Sequence, residues 1–488
     1  MKWKICVFLV LIFVINACDD QKNTQNNNIN NNNINNSNNS NNTNNINNSN
    51  NTNNSNNANV CDPACHEWET CVQGVCELNA GRCRTNDDCT GAAICDAEHV
   101  CTVECSVPCR PWQTCEDVGG MAQCRTAPHV AWIHEAITIV DPVVNGTSLN
   151  MPIDGISWVW APLLSGIVTS YGRDINNPAI AFVWHVDLQT HEHTKKTLSG
   201  SLPPANENFC NGEDWCQFIG YDPVNNAVLI TGPRASSIMR IALDYTVTLV
   251  STSGTRPGNS LINYTHVFDM ASRRLYILGA LGPSGFSNTL YQLDLDTGVW
   301  SSLPVQGMPQ VYDNCLAVDA TGMLYSIGGL MTLDGGNTST PLEQFFLVNP
   351  TTGQATSQSL PSEMGPRHAL SCTYSPVGPG IFVYGGAVVN DNYNEIVNDY
   401  YNDLWFYDPV ANTWERILDT TTPGTFEPPD SYGDQRFVAD PALPNFGKNR
   451  GYMQVFDSGC GLAVIGEVPV LTHAQLYRLL LKPQCDGK

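Results

Sequence analysis

The chain has 488 residues, a formal net charge of −23 at pH 7 and 20 cysteines. So acidic a chain lacks the basic stripe that nucleic-acid binding requires, and anionic lipid repels it. The cysteine content indicates an oxidising compartment, where disulfides persist.

Residues 1–17 are predicted to form a secretory signal peptide. Lys2 and Lys4 precede an apolar run from Ile5 to Ile15. This run is too short to cross a bilayer as a permanent helix. The chain is therefore expected to be exported, with the signal removed.

The end of this segment, Ile15-Asn16-Ala17-Cys18, resembles the lipobox of bacterial lipoproteins. The resemblance implies cleavage before Cys18 and attachment of diacylglycerol to its thiol. Cysteine parity favours the same interpretation, because loss of Cys6 with the signal leaves an odd number of cysteines, and lipidation of Cys18 makes the remainder even. The alternative is ordinary signal cleavage nearby, with Cys18 as a further thiol.

Residues 18–60 are predicted to be a lipidated N-terminus followed by a disordered linker. Positions 21–60 contain 25 asparagines, and such a tract cannot bury enough apolar surface to order the chain. As a flexible tether it has a mean reach of about 35 Å. Neutral repeat expansion is compatible with this interpretation. Such tracts also occur in protists, so a secreted eukaryotic protein is the alternative.

Residues 61–125 are predicted to form disulfide-rich modules that hold three groups of four cysteines. The groups are Cys61, Cys65, Cys71 and Cys76; Cys83, Cys89, Cys95 and Cys101; and Cys105, Cys109, Cys115 and Cys124. The region has too little apolar mass for a core, so disulfides are expected to stabilise it. The spacings lack the paired C-x2-C of zinc sites. Each group leaves three connectivities open.

The first and third groups share the pattern C-x3-C-x2-W-x-T-C, with Trp68 and Trp112 at its centre. The modules resemble short EGF-like or Dickkopf-like cysteine-rich repeats. Each tryptophan is expected to cover its own disulfides, because so small a module has little else to bury. Exposed ligand contact is the alternative.

Residues 127–488 change to short apolar strands punctuated by glycine and proline. The clearest segment, Ile381–Ile417, has an apolar strand ending in Gly385-Gly386, a polar loop, a second strand, an Asp408-Pro409 turn and Trp414. Alternating aromatic and β-branched residues predict half-buried strands. The diglycine permits backbone angles that a Cβ forbids.

A strand that ends in Gly-Gly, followed by Tyr407 and Trp414 with six residues between them, resembles a kelch repeat. The resemblance implies a four-stranded blade of a β-propeller, which must recur because one blade cannot bury both of its faces. Glycine-ended strands do recur, at Val168–Gly172, Val228–Gly232, Leu275–Gly279, Leu324–Gly329 and Leu462–Gly466. The later turn recurs at Asp187, Asp244, Asp294, Asn349 and Asp408, which are 57, 50, 55 and 59 residues apart.

The predicted fold class is all-β: a six-bladed kelch-like β-propeller over 127–488, with seven blades as the alternative, preceded by the small disulfide-rich region. The blade cores are expected near 156–200, 218–254, 263–305, 313–360, 367–419 and 451–481. The segment Val130–Val140 is predicted to complete the blade formed by Gly451–Leu481, which removes an open sheet edge. A seventh blade would have to lie in the insertion at 420–450.

Six cysteines lie in the predicted propeller. Cys210 is expected to pair with Cys216, and Cys460 with Cys485. Cys315 and Cys372 occupy the first strands of neighbouring blades, where buried free thiols are expected.

The sequence favours a binding protein over an enzyme. It contains no G-x-S-x-G elbow and no H-E-x-x-H motif. His191-Glu192-His193 lacks an identifiable third ligand, and its segment is expected to be a solvated outer strand. No cofactor or metal is assigned; calcium at residues 390–395, or at Asp294 and Asp296, is the alternative. The runner-up function is an oxidase-like or glycan-processing enzyme with its site in the propeller channel.

The interpretation is a non-catalytic lipoprotein of the bacterial cell envelope, periplasmic or anchored by its lipid alone to the outer membrane or cell surface. Its propeller would bind or scaffold a protein or glycan partner; secretion is the alternative location. Three loops are expected on one face: Leu281–Thr289, Leu330–Pro341 and Ala387–Asp403. The last carries Tyr393, Tyr400 and Tyr401, which suit partner contact. The other interpretation is that these loops are only solvated.

Overall fold

The structure is a computed structural model. It describes residues 61, 64–73, 75–127, 130, 132–135, 138–139, 158–164, 166–173, 177, 179–187, 190, 192–204, 209, 217–258, 265–282, 285–332, 339–376, 378–386, 401, 403–418, 452–456, 461–467 and 474–481.

The chain divides into two compact units. One comprises Met1–His66 and Thr70–Glu77, and the other comprises Glu67–Glu69 and Leu78–Lys488. The first cysteine group belongs to the first unit. The second unit holds the other two groups and the six large sheets. Helical structure in the described ranges is limited to the 3₁₀ turns Asn86–Asp88 and Pro162–Leu164, and no helix there is long and apolar enough to span a membrane.

The cysteine-rich region is built from short antiparallel hairpins. Their strands are Glu69–Val72 with Val75–Leu78, Ala93–Cys95 with Cys101–Val103, and Gln113–Val118 with Met121–Thr126. All three groups share one connectivity, first to third and second to fourth cysteine. The pairs are Cys61–Cys71, Cys65–Cys76, Cys83–Cys95, Cys89–Cys101, Cys105–Cys115 and Cys109–Cys124. The predicted disulfides of this region are confirmed.

Six antiparallel sheets follow in the described residues, one in each predicted blade core. The first strand of each sheet in the order given below is called its innermost strand, because these first strands contact those of neighbouring sheets. Sheet 1 contains Val159–Ala161, Gly166–Arg173, Ala181–Asp187 and Glu192–Thr197. Sheet 2 contains Phe218–Asp222, Ala227–Thr231, Ser237–Ile241 and Thr246–Ser251. Sheet 3 contains Thr265–Asp269, Arg274–Leu278, Thr289–Asp294 and Val299–Pro304.

The remaining three sheets repeat the same strand order. Sheet 4 contains Cys315–Val318, Leu324–Ile327, Gln344–Val348 and Ala355–Ser359. Sheet 5 contains Ser371–Ser375, Gly380–Tyr384, Leu404–Asp408 and Thr413–Leu418. Sheet 6 contains Tyr452–Phe456, Gly461–Glu467 and Ala474–Leu480, with Trp132–Glu135 as its fourth strand.

The predicted pairing between Val130–Val140 and the last sheet is confirmed. Trp132–Glu135 runs antiparallel to Ala474–Leu480, with Tyr477 opposite His134. The next residues, Thr138–Ile139, pair in parallel with the outer strand of sheet 1. One short segment therefore joins the last sheet to the first.

Short strands of the same kind join two other pairs of neighbouring sheets. Ser199–Gly200 leaves sheet 1 and pairs in parallel with the outer strand of sheet 2, and Ser253–Gly254 leaves sheet 2 and pairs with the outer strand of sheet 3. Gly254 has φ +87°, and an added Cβ would lie 2.2 Å from the carbonyl oxygen of Trp300, so only glycine fits this crossing.

The core consists of apolar layers between consecutive sheets. Val183 of sheet 1 and Ile230 of sheet 2 share one layer, and Leu229 of sheet 2 packs with Trp300 of sheet 3 in the next. Trp414 lies 5.4 Å, between ring centroids, from Phe345 of sheet 4. The Trp414 ring of sheet 5 therefore packs against the neighbouring sheet 4.

The innermost strands of neighbouring sheets also contact one another. That of sheet 6 contacts both the innermost strand of sheet 5 and that of sheet 1. Between sheets 2 and 3 the contact includes Phe218 and His266, whose ring centroids lie 4.4 Å apart. These strands surround the cavity described below.

Candidate functional site

Two of the three predicted rim loops lie together. Leu281–Gly282 pairs with Gly285–Phe286, and Leu330–Thr332 pairs with both Ser339–Pro341 and Val311–Tyr312. A bridge between Ser287 and Val311 connects the two groups. Phe286, Tyr312 and Leu330 form a small buried cluster beneath them. Sheets 3 and 4 thus carry a shared, internally packed rim.

The third predicted loop lies mostly outside the described residues, and Tyr393 and Tyr400 fall there. Tyr401 is described and half-buried: the Arg367 guanidinium carbon lies 3.8 Å from its ring centroid. Its backbone N–H donates to the carbonyl of Gly386. Tyr401 therefore packs over an internal cation, a contact that the sequence did not reveal.

Arg367 is the centre of a polar network at the start of sheet 5. Its side chain is 0% exposed and forms a bidentate pair with Asp403, at 2.6 and 3.1 Å. It also donates to the carbonyls of Gly385 and Met364. The indole Nε1 of Trp405 donates to the same carboxylate at 2.6 Å. A buried charge needs partners of this kind, although the buried Nε of Arg367 has no hydrogen-bond partner among the described residues.

The diglycines of sheets 4 and 5, Gly328-Gly329 and Gly385-Gly386, pack closely against the backbone of Arg367 and His368. An added Cβ on Gly328 would lie 2.6 Å from the carbonyl oxygen of Arg367, and one on Gly386 would lie 3.0 Å from that of His368. Both glycines have positive φ, +63° and +104°. The predicted backbone angles of the diglycine are confirmed by these φ values. A side chain at Gly328 or Gly386 would also collide with the backbone of Arg367 or His368.

Two further links join sheets 4 and 5 at their innermost strands. The His368 ring nitrogen Nδ1 lies 3.3 Å from Asp313 Oδ2. Cys315 and Cys372 form a disulfide, with 5.7 Å between their Cα atoms. The expectation of free thiols was wrong, because equivalent positions on adjacent innermost strands come within disulfide reach.

A cavity of about 410 Å³ lies among the innermost strands of sheets 1 to 5 and the turns that follow them. Its walls include Val159, Ile219, Phe268, Leu316 and Cys372. Its polar side chains are Tyr221, His266, Asp269, Asp319, Thr373 and Tyr374. A largely apolar cavity with a few polar groups of this size suits a small ligand.

The acidic residues of the cavity cap their own turns. Asp269 Oδ1 accepts the backbone N–H groups of Ala271 and Ser272, and its Oδ2 accepts the Ser272 hydroxyl. Asp319 accepts the N–H groups of Thr321 and Met323, and also the Tyr325 hydroxyl at 2.9 Å. These carboxylates are held in place, which suits electrostatic binding better than proton transfer.

Burial shifts the pKa values of three residues that line the cavity. Desolvation lowers the pKa of His266 far below its ordinary value, so the imidazole is neutral at pH 7. Burial, and then the charge of Asp319, raise the pKa of Tyr374. Burial, and then the charge of Asp222, raise the pKa of Tyr221. Both tyrosines are therefore neutral donors beside carboxylates.

The outer strand of sheet 1 differs from the prediction. His193 is 1% exposed and lies 4.6 Å, between ring centroids, from Trp184. It occupies the position that Trp300 and Trp414 hold in their sheets, so it is a buried ring instead of part of a solvated strand. His191 lies outside the described residues.

The predicted calcium ligands that are described have other roles. Asp294 caps its turn by accepting the N–H groups of Asp296 and Thr297. Asp296 pairs with Arg273, which also forms a bidentate pair with Asp222 at 2.9 and 2.8 Å. Residues 390–395 are outside the described ranges. Cysteine sulfurs in each module lie close enough together for a metal, but all are in disulfides and offer no thiolate.

The other predicted modification and disulfide residues are not described. Five of these cysteines lie outside the described residues: Cys18, Cys210, Cys216, Cys460 and Cys485. The lipidation of Cys18 and the pairs Cys210–Cys216 and Cys460–Cys485 stay predictions.

The tryptophans of the cysteine-rich region have roles that the sequence missed. Trp112 is 0% exposed and packs on Phe382 and Phe406 of sheet 5, with centroid distances of 5.2 and 4.7 Å. Trp68 stacks on His99 at 3.8 Å. The prediction that Trp112 covers its own disulfides did not include this packing against the buried aromatic rings of sheet 5.

Repeated antiparallel sheets, aspartate-capped turns and paired glycines define the class as an all-β repeat protein. No protein-family model matches the chain. Kelch domain-containing protein 3 of Homo sapiens is 25% identical over 171 residues, 34% of this chain and 42% of that protein. The chain thus aligns with less than half of that relative's length. The similarity and the sheets together fit a kelch-like β-propeller.

Proposed function

We propose that this protein is an exported lipoprotein whose six sheets form a six-bladed propeller that binds a protein partner through its rim. The observation that carries the binding proposal is the packed rim on sheets 3 and 4, where Phe286, Tyr312 and Leu330 give the loops a rigid base. Preorganised loops bind at lower entropic cost.

The six-bladed arrangement is supported by the strand contacts. Trp132–Glu135 supplies the outer strand of sheet 6, and the innermost strands of sheets 6 and 1 touch. A ring of this kind leaves no long open sheet edge. The similarity to a kelch-domain protein supports a role in protein interaction.

Export and anchoring rest on the sequence. Lys2, Lys4 and the following apolar run are typical of a signal peptide, and Cys18 ends a lipobox-like tetrapeptide. The anchor would hold the molecule in the bacterial cell envelope, and the Asn-rich tract would act as its tether. Mass spectrometry of the mature N-terminus tests this, with diacylated Cys18 expected and an unmodified residue contradicting it.

Site-specific photocrosslinking on intact cells tests rim binding. A photoreactive residue at Tyr393 or Tyr400 is expected to yield one discrete adduct with a protein partner. Val410 is the matched control, because it is 91% exposed on a tight turn of sheet 5. Equal adducts at Val410, or none at the loop positions, would remove the proposal. Tyr401 is left intact because it packs on Arg367.

A further inference from the structure

The cavity among the innermost strands has a consistent electrostatic bias. Of the described residues that line it, Asp269 and Asp319 carry formal charge, and none is lysine or arginine. In the described part of the chain neither carboxylate forms an ion pair; their partners there are backbone amides and hydroxyls. By contrast, Asp222 is neutralised by Arg273. The cavity therefore keeps a net negative field.

The two carboxylates lie at the same end of the cavity. Asp269 Oδ2 is 3.9 Å from the position of a Cβ on Gly322, in the turn that begins at Asp319. Tyr374, from sheet 5, feels the charge of Asp319. A group that enters this end thus meets two fixed negative charges and a tyrosine.

The walls suit a cation with an apolar body. Three aromatic residues, Tyr221, Phe268 and Tyr374, are among those that line the cavity, together with Met270. Aromatic faces attract cations, and they do so more strongly where water is displaced. The Phe268 ring is firmly placed, because a Cβ on Gly220 of the neighbouring sheet would lie 2.7 Å from it.

We propose that this cavity binds a small organic cation, an amine or quaternary ammonium group on an apolar or aromatic body. An anion would face two carboxylates with no lining cation to offset them. A neutral apolar molecule would gain nothing from the two charges. The site differs from the rim, and it stands whether or not the rim binds a protein.

Calorimetric titration of the full mature chain tests the proposal with three probes that share a benzene ring and differ in charge. The probes are benzyltrimethylammonium, benzyl alcohol and benzenesulfonate. We expect the ammonium to bind about tenfold more tightly than the alcohol, with its affinity falling as salt is added, and the sulfonate not to bind. Failure of the ammonium to bind, or equal binding of the alcohol or the sulfonate, would overturn the proposal.

A matched pair of variants locates the site. Asp269→Asn removes a cavity charge, and Asp294→Asn removes the charge of an equivalent turn cap that does not line the cavity. We expect the first to weaken ammonium binding about tenfold and the second to leave it unchanged. Equal effects of the two variants would contradict the assignment. Should Asp269→Asn fail to fold, Thr373→Trp fills the cavity and is expected to abolish binding.

Discussion

Trp112 of the third cysteine module and Phe406 of sheet 5 form a contact between two regions that the sequence presents as separate, with 4.7 Å between their ring centroids. Arg110 lies over the same Phe406 ring and pairs with Asp408, and Gln113 donates to Glu415 at 2.7 Å. Val130 and Leu479 belong to the same apolar cluster. The third module is thus part of the core between sheets 5 and 6.

This contact predicts that Trp112→Ala destabilises sheets 5 and 6, although the residue lies far from both sheets in sequence. Loss of a fully buried indole is expected to lower the free energy of unfolding by about 3–5 kcal/mol. Chemical denaturation of the full chain measures the effect. Trp68→Ala, at a half-buried ring stacked on His99, is the control and should cost less. Equal losses would show that Trp112 does not support the sheets.

The disulfide between Cys315 and Cys372 should contribute strongly to stability. It closes a loop with a sequence separation of 57. The chain-entropy relation gives about 4 kcal/mol for a loop of this length, so Cys315→Ala with Cys372→Ala should lower the unfolding free energy by that order. Non-reducing peptide mapping checks the bond itself. Alkylation of both thiols in the unreduced native protein would contradict it.

Arg367 and Asp403 form a buried pair whose members depend on each other. Arg367→Met leaves the carboxylate buried without its cation and should cost about 3–5 kcal/mol of unfolding free energy, and Arg367→Met with Asp403→Leu should recover part of this loss. The exposed carboxylate of Asp296, which lies 3.5 Å from the Arg240 guanidinium, provides the control. Asp296→Asn should cost about 1 kcal/mol or less, because the Asp296 side chain is 54% exposed. A cost that small for Arg367→Met would contradict the network.

Lowering the pH should reduce the free energy of unfolding before most carboxylates become protonated. Desolvation lowers the pKa of His185 and of His266, so the unfolded chain binds these protons first as the pH falls. The unfolding free energy should therefore decrease from about pH 6.5 downwards, by up to about 1.4 kcal/mol per pH unit for each group. His266→Gln should flatten this slope, and His66→Gln, at an exposed site, should not. An unchanged slope in His266→Gln would refute the assignment.

Local patterns predicted much of the architecture. Glycine-ended strands such as Leu324–Gly329 and turns such as Asp294 and Asp408 marked all six sheets, because strand alternation and turn chemistry depend on neighbouring residues. The pairing of Trp132–Glu135 with Ala474–Leu480 followed from the leftover strand.

Contacts between distant segments were harder to foresee. The bond between Cys315 and Cys372 depends on the spacing of adjacent innermost strands, and the site of Trp112 depends on which face of sheet 5 stays uncovered. The burial of Arg367 could not be predicted from the sequence, because a single arginine before a strand does not indicate a buried side chain. Asp269 and Asp319 have the sequence pattern of ordinary turn residues. Their neighbouring residues do not show that the two turns meet at one end of the cavity.

A segment that precedes sheet 1 in the chain completes sheet 6 and links it to sheet 1, and the whole arrangement of the six sheets depends on this link. Amide hydrogen exchange of the full chain, followed by mass spectrometry, tests this most directly. We predict that Trp132–Glu135 exchanges as slowly as its partner Ala474–Leu480, because their amides share one ladder. Rapid exchange of Trp132–Glu135 beside a protected Ala474–Leu480 would contradict the account.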